Sequence, residues 1–136
     1  MDKKGKLLRV AYISRQMVRE NRHILFVYGD NMERRGLGGQ AASMRNEVNT
    51  RGIPTKWRPE RDAAAYFTDA DWDNPKVREA ISFAFKVMRA ALAAGRDVVI
   101  PADGLGTGLA ELPARAPRLH ARIERAIARL ERGDAD

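Results

Sequence analysis

Two glycine-rich segments carry the residues best suited to binding an anion. The first runs from Gly29 to Gln40 and the second from Asp103 to Gly108. Glycine lets a backbone approach an anion closely, and successive backbone N–H groups form concave anion-binding nests. Either segment alone is more simply explained by tight turns, but each follows a buried-type apolar run, so together they are expected to hold a diphosphate. The predicted ligand-binding residues are Gly29, Asp30, Asn31, Gly36, Gly38, Gly39, Gln40, Gly104, Gly106, Thr107 and Gly108.

The position of Asp30 in the first glycine segment allows two interpretations of its role. A carboxylate directly after a strand either hydrogen-bonds a ribose hydroxyl or an adenine amine, or it caps its own loop. We favour ligand contact for Asp30.

Several chemistries are excluded or disfavoured. No Gly-Lys-Ser/Thr follows either glycine run, which disfavours a P-loop NTPase. The chain has no Cys and only two His, so thiolate zinc sites and Cys nucleophiles are excluded. The acidic cluster Asp69, Asp71 and Asp73 lacks the glycine and distal Glu of a calcium loop and is expected to be a solvated turn. We therefore predict no metal site and no cofactor.

Arginines recur at a 3,4,3,4,3 spacing near the C-terminus, which places them on one strip of a helix. This arginine strip consists of Arg115, Arg118, Arg122, Arg125, Arg129 and Arg132. Glu111 is four residues from Arg115, whereas Arg118, Arg122, Arg125 and Arg129 have no Asp or Glu three or four residues away. Either acids elsewhere in the fold or an external anion such as nucleic acid must neutralise them.

The overall charge also favours anionic partners. Among 136 residues, 25 Lys and Arg outnumber 18 Asp and Glu, giving a formal net charge of +7. Such a chain attracts nucleotides, nucleic acid or acidic proteins, although a GC-rich genome explains an excess of Arg equally well. No apolar run approaches the roughly 18 residues of a membrane helix, and the first residues lack a signal-peptide pattern. We expect a cytoplasmic protein without a membrane partner.

Apolar runs and helical periods alternate along the chain. Strands are predicted at 7–13, 24–28, 52–55 and 97–100, and helices at 40–48, 75–94 and 117–130. The polar stretch 15–22 is expected to be mainly a connection, with one or two helical turns. The segment 57–73 is expected to be a loop with a short strand near Tyr66 and Phe67. The alternation predicts one α/β domain over residues 1–136, with helices covering a mostly parallel sheet and 133–136 as a flexible tail.

The glycine segments resemble those of macro domains, a family that binds ADP-ribose. The stretch 27–41 (VYGDNMERRGLGGQA) is similar to the macro signature, in which a buried strand ends in an Asn and a glycine run opens a helix. Asn31 falls on the signature Asn, which contacts the distal ribose in that family. The stretch 99–109 (VIPADGLGTGL) resembles the second phosphate loop, with a pattern closest to terminal ADP-ribose glycohydrolases. The arrangement is also similar to small phage and prophage proteins of unassigned function.

This resemblance implies a macro-domain-like three-layer sandwich, with a mostly parallel mixed sheet and helices on both faces. It also implies candidate catalytic residues, Lys56, Asp103 and Glu111. In the glycohydrolase branch a Lys follows an Ile-Thr-Lys-like strand, and Ile53-Pro54-Thr55-Lys56 resembles it. A neutral Lys amine can attack C1 of a ribose and form a Schiff base while a carboxylate moves protons. The alternative for Lys56 is a solvated or phosphate-pairing lysine.

Two departures from the family bear on catalysis. Many macro hydrolases place an Asp two residues after the glycine run, where this chain has Ala41. The glycohydrolase branch has an acid directly after Gly-x-Gly-Leu, where this chain has Ala110, with Glu111 one residue later. The sequence therefore predicts binding of ADP-ribose, a related nucleotide or an ADP-ribosylated macromolecule, and leaves hydrolysis open. The alternatives are a non-enzymatic accessory protein that binds nucleic acid through Arg118, Arg122, Arg125 and Arg129, and one that sequesters a nucleotide signal.

Overall fold

The computed structural model describes residues 3–133, in which strands and helices alternate. The strands are β1 (Leu7–Val10), β2 (Leu25–Asn31), β3 (Thr50–Lys56) and β4 (Val98–Pro101). The helices are α1 (Arg15–Glu20), α2 (Ala41–Met44), α3 (Pro75–Ala93), α4 (Leu112–Arg115) and α5 (Pro117–Glu131), with 3₁₀ turns at Ala63–Ala65 and Asp69–Asp73. Of the predicted tail, residues 134–136 lie outside the described residues.

The four strands form one parallel sheet in the order β1-β4-β2-β3. The predicted α/β class with a mostly parallel sheet is thereby confirmed. Within residues 3–133, the one antiparallel pairing is an isolated bridge between Lys56 and Tyr66. The short strand predicted near Tyr66 and Phe67 is reduced to this bridge.

Helices cover both faces of the sheet, as the alternation of side chains along β2 shows. Leu25 and Val27 pack with the apolar residues of α3 and α5, whereas Phe26 and Tyr28 pack with those of α1 and α2. All four side chains are buried, which explains why the run Ile24 to Tyr28 is continuously apolar rather than alternating. Burial of each such side chain contributes about 1.5–3 kcal/mol. The result is a three-layer sandwich.

The ends of α3 are determined by local sequence. The side chain of Asn74 accepts a hydrogen bond of 2.9 Å from the backbone N–H of Lys76, and Pro75 occupies the first helical position. At the other end, Gly95 has a φ of +85° and donates to the carbonyl of Leu92. The N–H of Arg96 reaches the carbonyl of Ala91, completing a Schellman motif.

The predicted helix at 40–48 is much shorter in the structure. α2 ends at Met44 because Arg45 is extended, with ψ of 135°, and Asn46 has a φ of +73°. Conversely, β2 continues past the predicted end at Tyr28 to Asn31, because its last residues pair with β3 as far as Lys56.

None of the helices in the described part of the chain is both long and apolar enough to cross a membrane.

Candidate functional site

The carboxyl ends of the strands border one cleft of about 530 Å³. Because β2 and β4 are neighbours in the sheet, the glycine segments that follow them lie side by side along this edge. All fourteen residues predicted for binding or catalysis line the cleft. Its volume falls within the range of roughly 300–1,000 Å³ that is typical of small-molecule sites.

The carboxylate of Asp30 is enclosed by two guanidinium groups. Only 2% of the Asp30 side chain is exposed. Its Oδ2 accepts hydrogen bonds from Arg34 at 3.3 Å and from Arg45 at 3.2 Å, and its Oδ1 accepts a second one from Arg45. In this arrangement Asp30 organises its own loop, and its contact with a ligand stays a prediction.

Arg45 also fixes the backbone of the first glycine segment. Its Nε donates to the carbonyl of Gly36 at 2.7 Å, and its Nη2 donates to the carbonyl of Arg35 at 3.2 Å. The same Arg35 carbonyl accepts a bond of 2.8 Å from Nδ2 of Asn31. The sequence pattern did not single out Arg45, because a helix continuing to residue 48 would have carried this side chain in another direction.

Two buried amide oxygens at the cleft lack donors. Asn31 Oδ1 and Gln40 Oε1 have no hydrogen-bond partner among residues 3–133. Leaving a buried acceptor unpaired costs about 1–3 kcal/mol, so such atoms indicate where a bound group can donate. Asn31 and Gln40 both line the cleft, so their amides are the candidates to accept hydrogen bonds from ligand hydroxyls or amines once the side chains turn towards it.

Glycine is required at some positions of the two segments for close packing, whereas at others the space beside it is open. A Cβ on Gly29 would lie 3.3 Å from both Gly106 N and Thr55 Oγ1, and a Cβ on Gly106 would lie 2.9 Å from Leu112. Gly106 also has a φ of +80°. This pair lets β2 and the second segment pack closely, as the tight-turn alternative proposes. At Gly108, by contrast, no other atom lies within 4 Å of such a Cβ.

Lys56 lies at the end of β3 with only 7% of its surface exposed. Its Nζ donates to the carbonyl of Glu60 at 2.9 Å and lies 4.1 Å from the centre of the Tyr66 ring. Burial lowers the pKa of Lys56 below its ordinary value, the Glu111 charge opposes this shift, and the charge of Arg115 reinforces it. The neutral amine that a nucleophile requires is therefore reached more easily than in an exposed lysine.

Of the two predicted catalytic carboxylates, Glu111 lies near Lys56, whereas Asp103 lies further away. Glu111 has a φ of +49° and forms an ion pair of 3.5 Å with Arg115, whose guanidinium lies 3.7 Å from the centre of the Tyr66 ring. Asp103 follows β4, which is separated from β3 by β2. The ends of β4 and β3 are two strand spacings apart, about 9.5 Å. Of the two predicted carboxylates, Glu111 is the better placed to exchange a proton with Lys56.

Two cations that the sequence pattern did not single out also line the cleft. Arg35 is ion-paired with Glu33 and Glu60, each at 2.7 Å. Arg61 is exposed and makes no hydrogen bond or ion pair with any residue in the described part. Its guanidinium is therefore available to an anion in the cleft.

The acids of α5 do not neutralise its arginines. Glu124 and Glu131 face Arg9 of β1, at 3.6 and 3.1 Å. Arg115 has the Glu111 partner expected from the spacing. Four other members of the arginine strip have guanidinium groups without a carboxylate partner among residues 3–133: Arg118, Arg122, Arg125 and Arg129.

The acidic cluster at 69–73 has a capping role. Asp69 Oδ1 accepts from the backbone N–H groups of Arg118 and Leu119, at 2.8 and 3.2 Å, at the start of α5. Asp71 accepts from the N–H of Thr68 at 2.7 Å. No cluster of side chains suited to holding a metal ion occurs in the part of the chain that the structure describes.

Together, the fold and the site define an α/β protein whose cleft lies at the carboxyl edge of a parallel sheet. The chain belongs to a family of unknown function, DUF7831, which matches residues 8–126. This match includes both glycine segments, Lys56 and most of α5. No curated protein and no solved structure matches the chain. The resemblance to macro domains stays a prediction.

Proposed function

We propose that the protein binds ADP-ribose or a related nucleotide, free or attached to a macromolecule, in the cleft at the carboxyl edge of the sheet. The observation that carries this proposal is the joining of two glycine segments in one cleft that also contains two buried acceptors without donors. In open α/β sheets, ligands bind beyond the carboxyl ends of the strands. We place this activity in the cytoplasm.

The donors and acceptors of the cleft match the parts of such a ligand. In the proposed complex, Asn31 Oδ1 and Gln40 Oε1 accept hydrogen bonds from ribose hydroxyls or from the amine of a base. The diphosphate lies between the two glycine segments, where backbone N–H groups and the Arg61 guanidinium supply positive charge. Gly39 and Gly108 leave open space at the cleft, since a Cβ on either would meet no other atom within 4 Å.

Hydrolysis of an ADP-ribosyl ester is the catalytic extension of this proposal. The lone pair of neutral Lys56 Nζ attacks C1 of the ribose, and the bond from C1 to the carboxylate oxygen breaks with its electron pair leaving on the carboxylate. Glu111 accepts the proton that Nζ loses. When water attacks C1, Glu111 returns this proton to Nζ and the attacking water loses a proton to solvent, which releases the ribose and regenerates neutral Lys56. The support for this step is the lowered pKa of Lys56 and the proximity of the Glu111 charge.

Calorimetric titration with ADP-ribose tests the binding proposal, with AMP and a short DNA duplex as comparison ligands. Gln40→Met removes one acceptor and should weaken ADP-ribose binding about tenfold. Gly108→Val should weaken it further by filling the cleft. The matched control is Gln16→Met, because Gln16 lies on α1 and bonds Glu20 outside the cleft. Absence of ADP-ribose binding, or equal affinities in all four proteins, would refute the proposal.

A nucleic-acid-binding function is the second candidate. Its support is that four arginines of α5 lack carboxylate partners in the described structure. Sequestration of a nucleotide signal would use the same cleft as the first proposal, without hydrolysis.

A further inference from the structure

A second concave surface lies between α3 and α5 and shares no lining residue with the cleft. This α3–α5 groove has a volume of about 200 Å³. Ile81 and Phe85 of α3 and Ile123 and Leu130 of α5 form its apolar floor, and they belong to the main core. The floor is therefore built from side chains that are fixed in place by core packing on their other sides.

Three arginines surround the apolar floor. Arg89 comes from α3, and Arg122 and Arg129 come from α5. No Asp or Glu lines the groove, and none of the three guanidinium groups has a carboxylate partner among residues 3–133. The acids of α5 face Arg9 of β1 instead. The groove thus combines an apolar floor with uncompensated positive charge.

We propose that the α3–α5 groove docks an acidic segment of another protein, which inserts one large apolar side chain between carboxylates that pair with Arg89, Arg122 and Arg129. Arginine binds carboxylates through paired N–H donors, and a buried apolar anchor in a pocket supplies most of the energy of such interfaces. A second copy of this chain is a poor occupant, because its net charge is +7.

The floor favours a peptide over nucleic acid as the occupant. Sites that bind single-stranded nucleic acid without sequence preference combine basic grooves with aromatic faces on which bases stack. Here the guanidinium of Arg122 already lies 5.0 Å from the centre of the Trp72 ring. The remaining floor is largely aliphatic and suits the side chain of a Leu, Ile or Phe.

Selection of short random peptides displayed on phage against the immobilised full chain tests this proposal. The selected sequences should contain one large apolar residue flanked by Asp or Glu. A synthetic, fluorescently labelled peptide of that sequence is then titrated by anisotropy. The double variant Arg122→Gln/Arg129→Gln should bind it at least about tenfold more weakly, because two charge-assisted contacts are lost.

The matched control is Arg118→Gln/Arg125→Gln, which removes the same charge from the same helix outside the groove. It should lose clearly less affinity than Arg122→Gln/Arg129→Gln, because neither Arg118 nor Arg125 lines the groove and each contributes only the general positive charge of the helix. Ala126→Trp, which fills the groove, should abolish binding, and circular dichroism checks its fold.

Three results would overturn the proposal. The selected peptides could lack acidic residues, or the two double variants could lose peptide affinity equally. Alternatively, a labelled DNA or RNA duplex could displace the peptide and lose affinity equally in both variants. The last result would assign the surface to nucleic acid. None of these outcomes depends on the cleft or on ADP-ribose.

Discussion

Arg45 and Asp30 form a buried ion pair that holds the first glycine segment against the end of β2. Both Asp30 oxygens accept from Arg45, while the Arg45 Nε and Nη2 groups bond the carbonyls of Gly36 and Arg35. One side chain thus links the strand to the loop that borders the cleft. The conformation of the predicted binding loop depends on a residue beyond the end of α2.

Removing Arg45 should destabilise the protein and weaken ligand binding. In Arg45→Met, the buried Asp30 carboxylate keeps only Arg34 as a partner, and losing one partner of a buried pair costs about 3 kcal/mol. Urea denaturation measures this loss, and calorimetry measures the weaker binding of ADP-ribose. Arg19→Met is the control, since Glu47 retains Arg15 and Arg22 there. Equal stability losses in both variants would contradict the role of Arg45.

Asn74→Ala should lower stability by about 1 kcal/mol through loss of the cap of α3. The backbone N–H of Lys76 then loses its 2.9 Å acceptor. In urea denaturation, the midpoint should fall while the slope stays unchanged, because the folded core is the same. Asn74→Ser or Asn74→Asp should recover most of the loss, and a failure of both to do so would indicate that Asn74 acts in another way.

The lowered pKa of Lys56 makes stability depend on pH in the alkaline range. Between the folded pKa and the ordinary value of 10.5, the folded protein binds fewer protons than the unfolded chain. The contribution of Lys56 to the free energy of unfolding therefore increases as pH rises through that window. At neutral pH, the buried protonated amine lowers the free energy of unfolding. Lys56→Met should gain stability over wild type at pH 7, and the gain should shrink towards pH 10.5. Lys76→Met, on an exposed part of α3, is the matched lysine variant against which the pH profile of Lys56→Met is compared.

Release of ADP-ribose from an ADP-ribosylated glutamate of a carrier protein should require Lys56. Lys56→Ala should lose the activity, and Lys56→Arg should not restore it, because a guanidinium does not become a neutral nucleophile. Glu111→Gln should slow release by about 100-fold or more, as expected for loss of a general base. Asp103→Asn serves as the comparison, because its strand is separated from β3. Equal release by wild type and Lys56→Ala would exclude Lys56 as the nucleophile.

The parts of the fold that the sequence predicts are those determined by local pattern. The apolar run of β2, the Asn74-Pro75 start of α3 and the Gly95 end of that helix each follow from neighbouring residues. The pairing of Arg45 with Asp30 and the availability of Arg61 depend on tertiary contacts that no spacing encodes. Gly106 illustrates the same limit, because the close approach of Leu112 that requires a glycine there is a tertiary contact.

Binding of nucleic acid by the arginine strip should appear as a salt-dependent, sequence-independent interaction. When the logarithm of affinity is plotted against the logarithm of salt concentration, each phosphate contact adds about −0.9 to the slope. Changing Arg118, Arg122, Arg125 and Arg129 to Gln should therefore flatten the slope for duplex DNA by up to about 3.6. ADP-ribose binding should stay unchanged, because none of these residues lines the cleft. An unaltered slope in the quadruple variant would show that duplex contacts lie elsewhere on the protein. If wild type binds no duplex even at low salt, the nucleic-acid alternative fails, and the unpaired arginines are left to an acidic protein partner.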